Sequence, residues 1–152
     1  MVDFKKDSWF YALIAAIIGI IAIFLPMGIQ GIPMGGQEFG WLGGYVSYRT
    51  DLDIWSGSLT PALFLLGVTI AASIALLIYS VNTWRGKEFK STSLIYLLSG
   101  IGMVLFVILL WVFEFDPDVT PIAPVFILIS GILALVGGVL EKQVKDNNSR
   151  AI

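Results

Sequence analysis

Four long apolar runs alternate with polar stretches along the chain: Trp9 to Leu25, Leu59 to Val81, Leu94 to Phe113 and Ile122 to Leu140. They contain 17, 23, 20 and 19 residues, and none holds Asp, Glu, Lys or Arg. A helix rises about 1.5 Å per residue and a bilayer core is about 30 Å thick, so each run can cross, the first only just. In lipid the backbone must satisfy its own hydrogen bonds, and a helix does so within one segment. The pattern predicts helices at about 9–26, 59–82, 92–113 and 121–141. Pro26 stops the first. Thr60-Pro61 and Thr120-Pro121 each place a capping residue before a Pro suited to a first helical position. Ser91, Thr92 or Ser93 can cap the third. Trp9, Tyr11, Trp84 and Trp111 fall near span ends, where interfacial aromatics belong.

Charge then orients the spans. Lys5, Lys6, Arg85, Lys87, Lys90, Lys142, Lys145 and Arg150 fall on one side, and of the nine basic residues only Arg49 falls on the other. Basic residues concentrate on the cytoplasmic side of membrane proteins. The expectation is an all-α membrane protein, a four-transmembrane-helix bundle in the cell membrane with both termini cytoplasmic. Residues 27–58 form a first outer loop, 114–120 an outer turn, 83–91 a cytoplasmic loop and 142–152 a cytoplasmic tail. The 17-residue first run is long for a signal peptide and no A-x-A site follows, so retention is expected.

The polar remainder is uneven. The first outer loop holds eight of the sixteen glycines and two of the five tryptophans, Trp41 and Trp55. It opens with a local repeat, Pro26-Met27-Gly28-Ile29-Gln30 and then Pro33-Met34-Gly35-Gly36-Gln37. Residues 39–49 are β-prone, and 51–55 can return as a second strand after a turn near Thr50, which predicts a small β-hairpin-like element. Trp41, Tyr45, Tyr48 and Trp55 need cover there, since an isolated hairpin is marginal in water. On a larger scale, residues 3–13 and 88–98 share Phe, Lys, Ser, Tyr and Leu in register, and Thr-Pro recurs before spans two and four. This pattern fits either a duplicated hairpin or the common composition of juxtamembrane segments.

Composition removes most catalytic chemistries. The chain has no Cys and no His. That excludes disulfides, a thiolate nucleophile, an imidazole ligand and a Ser-His-Asp triad. A net charge of -2 disfavours nucleic acid as a partner. Glu114, Asp116 and Asp118 alternate in the outer turn and are of the oxygen type that suits Ca²⁺, without EF-hand spacing. Met27 and Met34 are too few for a Cu(I) site. We therefore assign no metal, no cofactor and no enzymatic activity. Lys5, Lys6, Lys87 and Lys90 either contact anionic headgroups or serve as topology determinants alone. The spans contain hydroxyl groups, such as Thr69, Ser73, Ser80, Ser99 and Ser130, but no carboxylate or basic group, which argues against proton-coupled transport.

Small residues recur every fourth position: Ala15 and Gly19; Gly67, Ala71 and Ala75; Ser130, Ala134 and Gly138. Such stripes let helices approach closely, within the bundle or between copies. The layout of four spans, a large first outer loop with Trp41 and Trp55, and a short second one resembles the claudin/PMP22-type four-helix proteins. Trp55 follows Ile54 instead of that family's Gly-Leu pair, and the family's two loop cysteines are missing, so no functional residue is carried over. The resemblance implies a left-handed bundle, a β-containing first loop and a role in lateral assembly or adhesion. The expected partners are the bilayer and a second copy or another membrane protein. The rival readings are an accessory subunit of a larger transporter or energy-converting complex, and an oligomeric channel.

Overall fold

The computed structural model describes residues 7–32, 36–41, 46–50, 52–57, 59–87, 89–114 and 119–150. Four helices dominate: α1 (Ser8–Phe24), α2 (Leu59–Trp84), α3 (Thr92–Glu114) and α4 (Ala123–Arg150). The last three are long and apolar enough to cross a membrane. With 17 residues, α1 is shorter, about 25 Å at 1.5 Å per residue. α4 packs against both α1 and α3, and α1 also packs against α2.

Small residues set how closely the helices meet. α1 buries Ser8, Ala12, Ala15, Ala16, Gly19 and Ala22, while Ile17, Ile21 and Phe24 face outward. That is the arrangement lipid favours, with slim residues between helices and bulky ones against the tails. α3 and α4 cross nearly backbone to backbone. A Cβ on Gly100 would lie 2.8 Å from the Gly131 carbonyl oxygen, and one on Gly131 would lie 3.1 Å from the Gly100 oxygen. Leu76, Tyr96, Met103, Val107 and Ile127 fill the centre.

The ends differ from the simplest reading of the sequence in three places. α2 runs to Trp84 and closes on Gly86, whose φ of +75° suits a residue without a Cβ. The N–H groups of Gly86 and Lys87 donate back to the Thr83 and Asn82 carbonyls, which completes a Schellman cap. Thr120-Pro121 does not begin α4. It belongs to a short strand, and the Pro of the first helical turn is Pro124. α4 continues nine residues past Glu141 to Arg150, a stretch that lacks Gly and Pro and includes the good helix formers Lys142, Gln143, Lys145 and Arg150.

The first loop holds more than a hairpin. Strands β1 (Gly28–Ile32), β2 (Gly36–Trp41), β3 (Val46–Arg49) and β4 (Ile54–Gly57) come from it, and β5 (Val119–Pro121) comes from the second. They form one antiparallel sheet in the order β4-β3-β2-β1-β5. Gly28-Ile29-Gln30 of the opening repeat lie in β1 and Gly36-Gln37 in its neighbour β2, while Pro33, Met34 and Gly35 lie outside the described residues. The β-prone run 39–49 is divided between β2 and β3. Pro121 stands at the end of an outer strand, where a missing N–H is tolerated.

Candidate functional site

The sheet is fastened to the helix ends by backbone bonds. The Met27 N–H donates to the Gly40 carbonyl at 2.6 Å, and the Met27 carbonyl accepts from Ile122 at 3.2 Å. Ala123 N–H reaches the Pro26 carbonyl at 3.0 Å. Met27, only 8% exposed, is held where α1, α4 and the sheet meet. A hairpin alone would be marginal in water, but five strands anchored to two helices are not.

Register sorts the sheet into rows. Thr120, Ile29, Phe39, Tyr48 and Trp55 stand opposite one another across all five strands. The next row along is small, with Pro121, Gly28, Gly40, Ser47 and Ser56. The row after the aromatic one, in the other direction, is polar at its middle, with Gln30, Glu38 and Arg49. Successive residues of a strand point to opposite sides, so Ile29, Phe39 and Tyr48 belong to one face and Gln30, Glu38 and Arg49 to the other. The Phe39–Tyr48 cross-strand pair contributes about 0.2–1 kcal/mol.

Polar side chains pin the connections. Thr50 Oγ1 accepts from the Gln37 N–H at 2.9 Å and stands 3.2 Å from the Gln37 carbonyl, extending the β2–β3 pairing by one residue. The Tyr48 hydroxyl donates to Asp53 Oδ1 at 2.6 Å. Asp53 turns the chain toward β4 with a φ of +52°, a conformation Asp tolerates better than most residues. The hydrogen bond to Asp53, and secondarily its loss of hydration and the carboxylate's charge, push the Tyr48 phenol above its ordinary pKa of 10.0.

The residues singled out from sequence fall as follows. Trp41 ends β2 opposite Val46, Tyr48 lies in β3, and Trp55 lies in β4 opposite Tyr48. Tyr45 lies outside the described residues, as do Asp116 and Asp118. Glu114 is the last residue of α3. Among the described residues no cluster of three acidic groups could hold a metal ion. Ser130, Ala134 and Gly138 are buried between α4 and its neighbours. The Ser130 hydroxyl donates to the Ala15 carbonyl at 2.7 Å with Met103 Sδ 3.2 Å away. A Cβ on Gly138 would meet Leu97 Cγ at 2.7 Å. The α2 stripe is different: Ala71 is exposed, Gly67 and Ala75 are part-buried, and a Cβ on Gly67 would touch nothing within 4 Å.

Sequence reasoning missed Ile29 and Phe39 as members of the aromatic row. It also missed a polar junction at the opposite end of the bundle. There Glu141, 7% exposed, accepts a hydrogen bond from the Ser8 hydroxyl and pairs with Lys145 at 3.2 Å. The four-residue spacing of Glu141 and Lys145 was the available signal, but nothing local links Glu141 to Ser8, 133 positions away. No protein-family model matches the chain, and no curated protein matches it either.

Proposed function

We propose that this is a non-catalytic integral membrane protein of claudin-like layout that acts in lateral assembly or adhesion through its sheet. One observation carries the reading: a five-stranded sheet drawn from both loops is fixed to the ends of α1 and α4. Such a rigid platform suits recognition, because binding residues concentrate on loops held by a scaffold. The row Ile29, Phe39, Tyr48 and Trp55 runs to β4, an outer strand of the sheet. An outer strand offers backbone donors and acceptors to a second copy. The burial of Ser130, Ala134 and Gly138 leaves Gly67, Ala71 and Ala75 of α2 as the helix-face part of the proposal.

The same reading sets orientation. Arg85, Lys87, Lys90, Lys142 and Lys145 gather at the end away from the sheet, which supports cytoplasmic termini and an outward sheet in the cell membrane. The Cys-free chain makes the test direct. Ser56→Cys in native-like bilayers should give a disulfide-linked dimer, and an impermeant thiol reagent should label it from outside in intact cells. A strictly monomeric protein in lipid, with every association intact after deletion of residues 31 to 56, would refute the assembly role.

A further inference from the structure

The end of the bundle opposite the sheet separates its charges by depth. Its buried acid is turned inward: Glu141 is held by Ser8 and Lys145. Lys145 Nζ also donates to the Phe89 carbonyl at 2.8 Å, which ties the α2–α3 connection to α4. Thr92 Oγ1 reaches the same carbonyl at 2.9 Å. Asp7 and Asp146 have interactions of their own. Among the described residues at this end, Asp146 is the exposed acid and the other exposed charges are cationic. Arg85 and Lys87 flank the Gly86 turn, Lys90 follows Phe89, and Lys142 lies one turn before Lys145 on α4; all four are exposed.

Aromatic residues mark the depth of this surface. Trp84, 62% exposed, meets Trp9 with ring centroids 6.0 Å apart, and Phe89 is 43% exposed. Exposed Trp next to the last turn of an apolar helix belongs at the headgroup level. Cations fixed at that level face the one anion a bilayer supplies in quantity, the lipid phosphate.

We propose that Arg85, Lys87, Lys90 and Lys142 form a docking surface for the headgroup of an anionic phospholipid, with the Lys145–Phe89 bond positioning the connection that carries three of them. The proposal depends on the helices spanning a bilayer and is independent of the assembly role. Its test uses the full chain in phosphatidylcholine vesicles carrying trace spin-labelled phosphatidylglycerol or spin-labelled phosphatidylcholine. The motionally restricted fraction of each label is measured by electron spin resonance. Wild type should restrict phosphatidylglycerol in preference. Replacing the four cations by Gln should abolish that preference. About 1 M salt should erode it in the wild type, since the screening length then falls to about 3 Å. Arg49→Gln, at the sheet end, should leave it unchanged. Equal restriction of the two lipids, an unaltered preference in the fourfold variant, insensitivity to salt, or an equal loss in Arg49→Gln would each overturn the proposal. Restriction of the phosphatidylcholine label by every variant shows that the protein is inserted, so a failed preference is distinguishable from a failed membrane reading.

Discussion

Gly100→Ala tests the α3–α4 crossing with one added methyl group. The new Cβ would lie 2.7 Å from Leu135 Cγ, 2.8 Å from the Gly131 carbonyl oxygen and 2.9 Å from the Leu135 backbone nitrogen. Two of these three atoms are backbone, so no rotamer change removes the clash and the helices must part. Two terms oppose each other. Ala in place of Gly favours a helix by about 1 kcal/mol. Overpacking a well-packed contact costs about 1–3 kcal/mol, and parting the helices also loses contacts around the crossing. The clash wins, and net destabilisation of about 1–2 kcal/mol is expected. Gly67→Ala supplies the contrast, because its Cβ would touch nothing within 4 Å. Gly102→Ala is similar, since its Cβ would meet Val68 Cγ1 at an ordinary 3.5 Å. These two should gain up to about 1 kcal/mol from propensity alone. Equilibrium unfolding in mixed micelles, followed by loss of helical circular dichroism against the fraction of denaturing detergent, reads all three signs. If Gly100→Ala proves as stable as Gly67→Ala, the close crossing is refuted.

The same unfolding assay addresses two polar contacts. Ser8→Ala removes the donor to a buried carboxylate and should cost about 1–3 kcal/mol, whereas Lys145→Met breaks a part-exposed pair and should cost about 1 kcal/mol or less. Ser130→Ala should cost about 0.6 kcal/mol, the average for an interhelical hydrogen bond in lipid, and a cost above about 2 kcal/mol would imply a further role for that hydroxyl. Tyr48 ionises above its ordinary pKa of 10.0 in the folded state. Stability linked to its neutral form is therefore fully present below pH 10.0 and is lost as pH rises through the raised value. Ultraviolet titration of wild type, Tyr48→Phe and Asp53→Asn should show the Tyr48 component moving down toward 10.0 when the carboxylate is removed.

The helices were legible because lipid leaves so few alternatives. A charge-free run such as Leu94 to Phe113 has to be a helix, and α3 spans it. The sheet was half legible. Composition located it, and the pattern puts Tyr48 and Trp55 on successive strands without giving their register, but it shows neither β1 nor β5. Three-residue β5 has no local signature. It is a strand only because Gly28 and Ile29, more than ninety positions earlier, lie beside Pro121 and Thr120. A Thr-Pro pair reads as a helix start wherever it occurs, and here the two copies diverge. Thr60-Pro61 sits inside the first turn of α2, while Thr120-Pro121 finishes a strand. Gly43-Gly44 was the available sign that the run 39–49 would be cut in two. The extension of α4 was hidden by a different bias. Charge there reads as the end of a span, yet it marks only the end of the apolar surface.

The contacts make α1 and α4 the spine of the molecule. They are joined at three levels: through Ser8 and Glu141 at one end, Ser130 and the Ala15 carbonyl in the middle, and Pro26 and Ala123 at the sheet. A sheet fixed to both of these helices cannot tilt without breaking bonds to each. α2 is tied differently. Ser80, Asn82 and Thr83 spend their side-chain hydrogen bonds on carbonyls of their own helix, those of Leu77, Ile78 and Tyr79. Among the described residues, its buried Thr69 and Ser73 hydroxyls have no hydrogen-bond partner. Among the same residues, the side-chain hydrogen bond between α2 and another helix, Tyr96 to Thr83, is long at 3.5 Å. Over the described residues, directional bonds therefore fix α1 to α4, whereas shape and close packing hold α2. A change in packing that leaves the sheet in place has its lowest cost at α2. That is also the helix whose Gly67 and Ala71 leave room for a neighbour to approach, which makes it the helix on which the proposed association would act at least cost to packing.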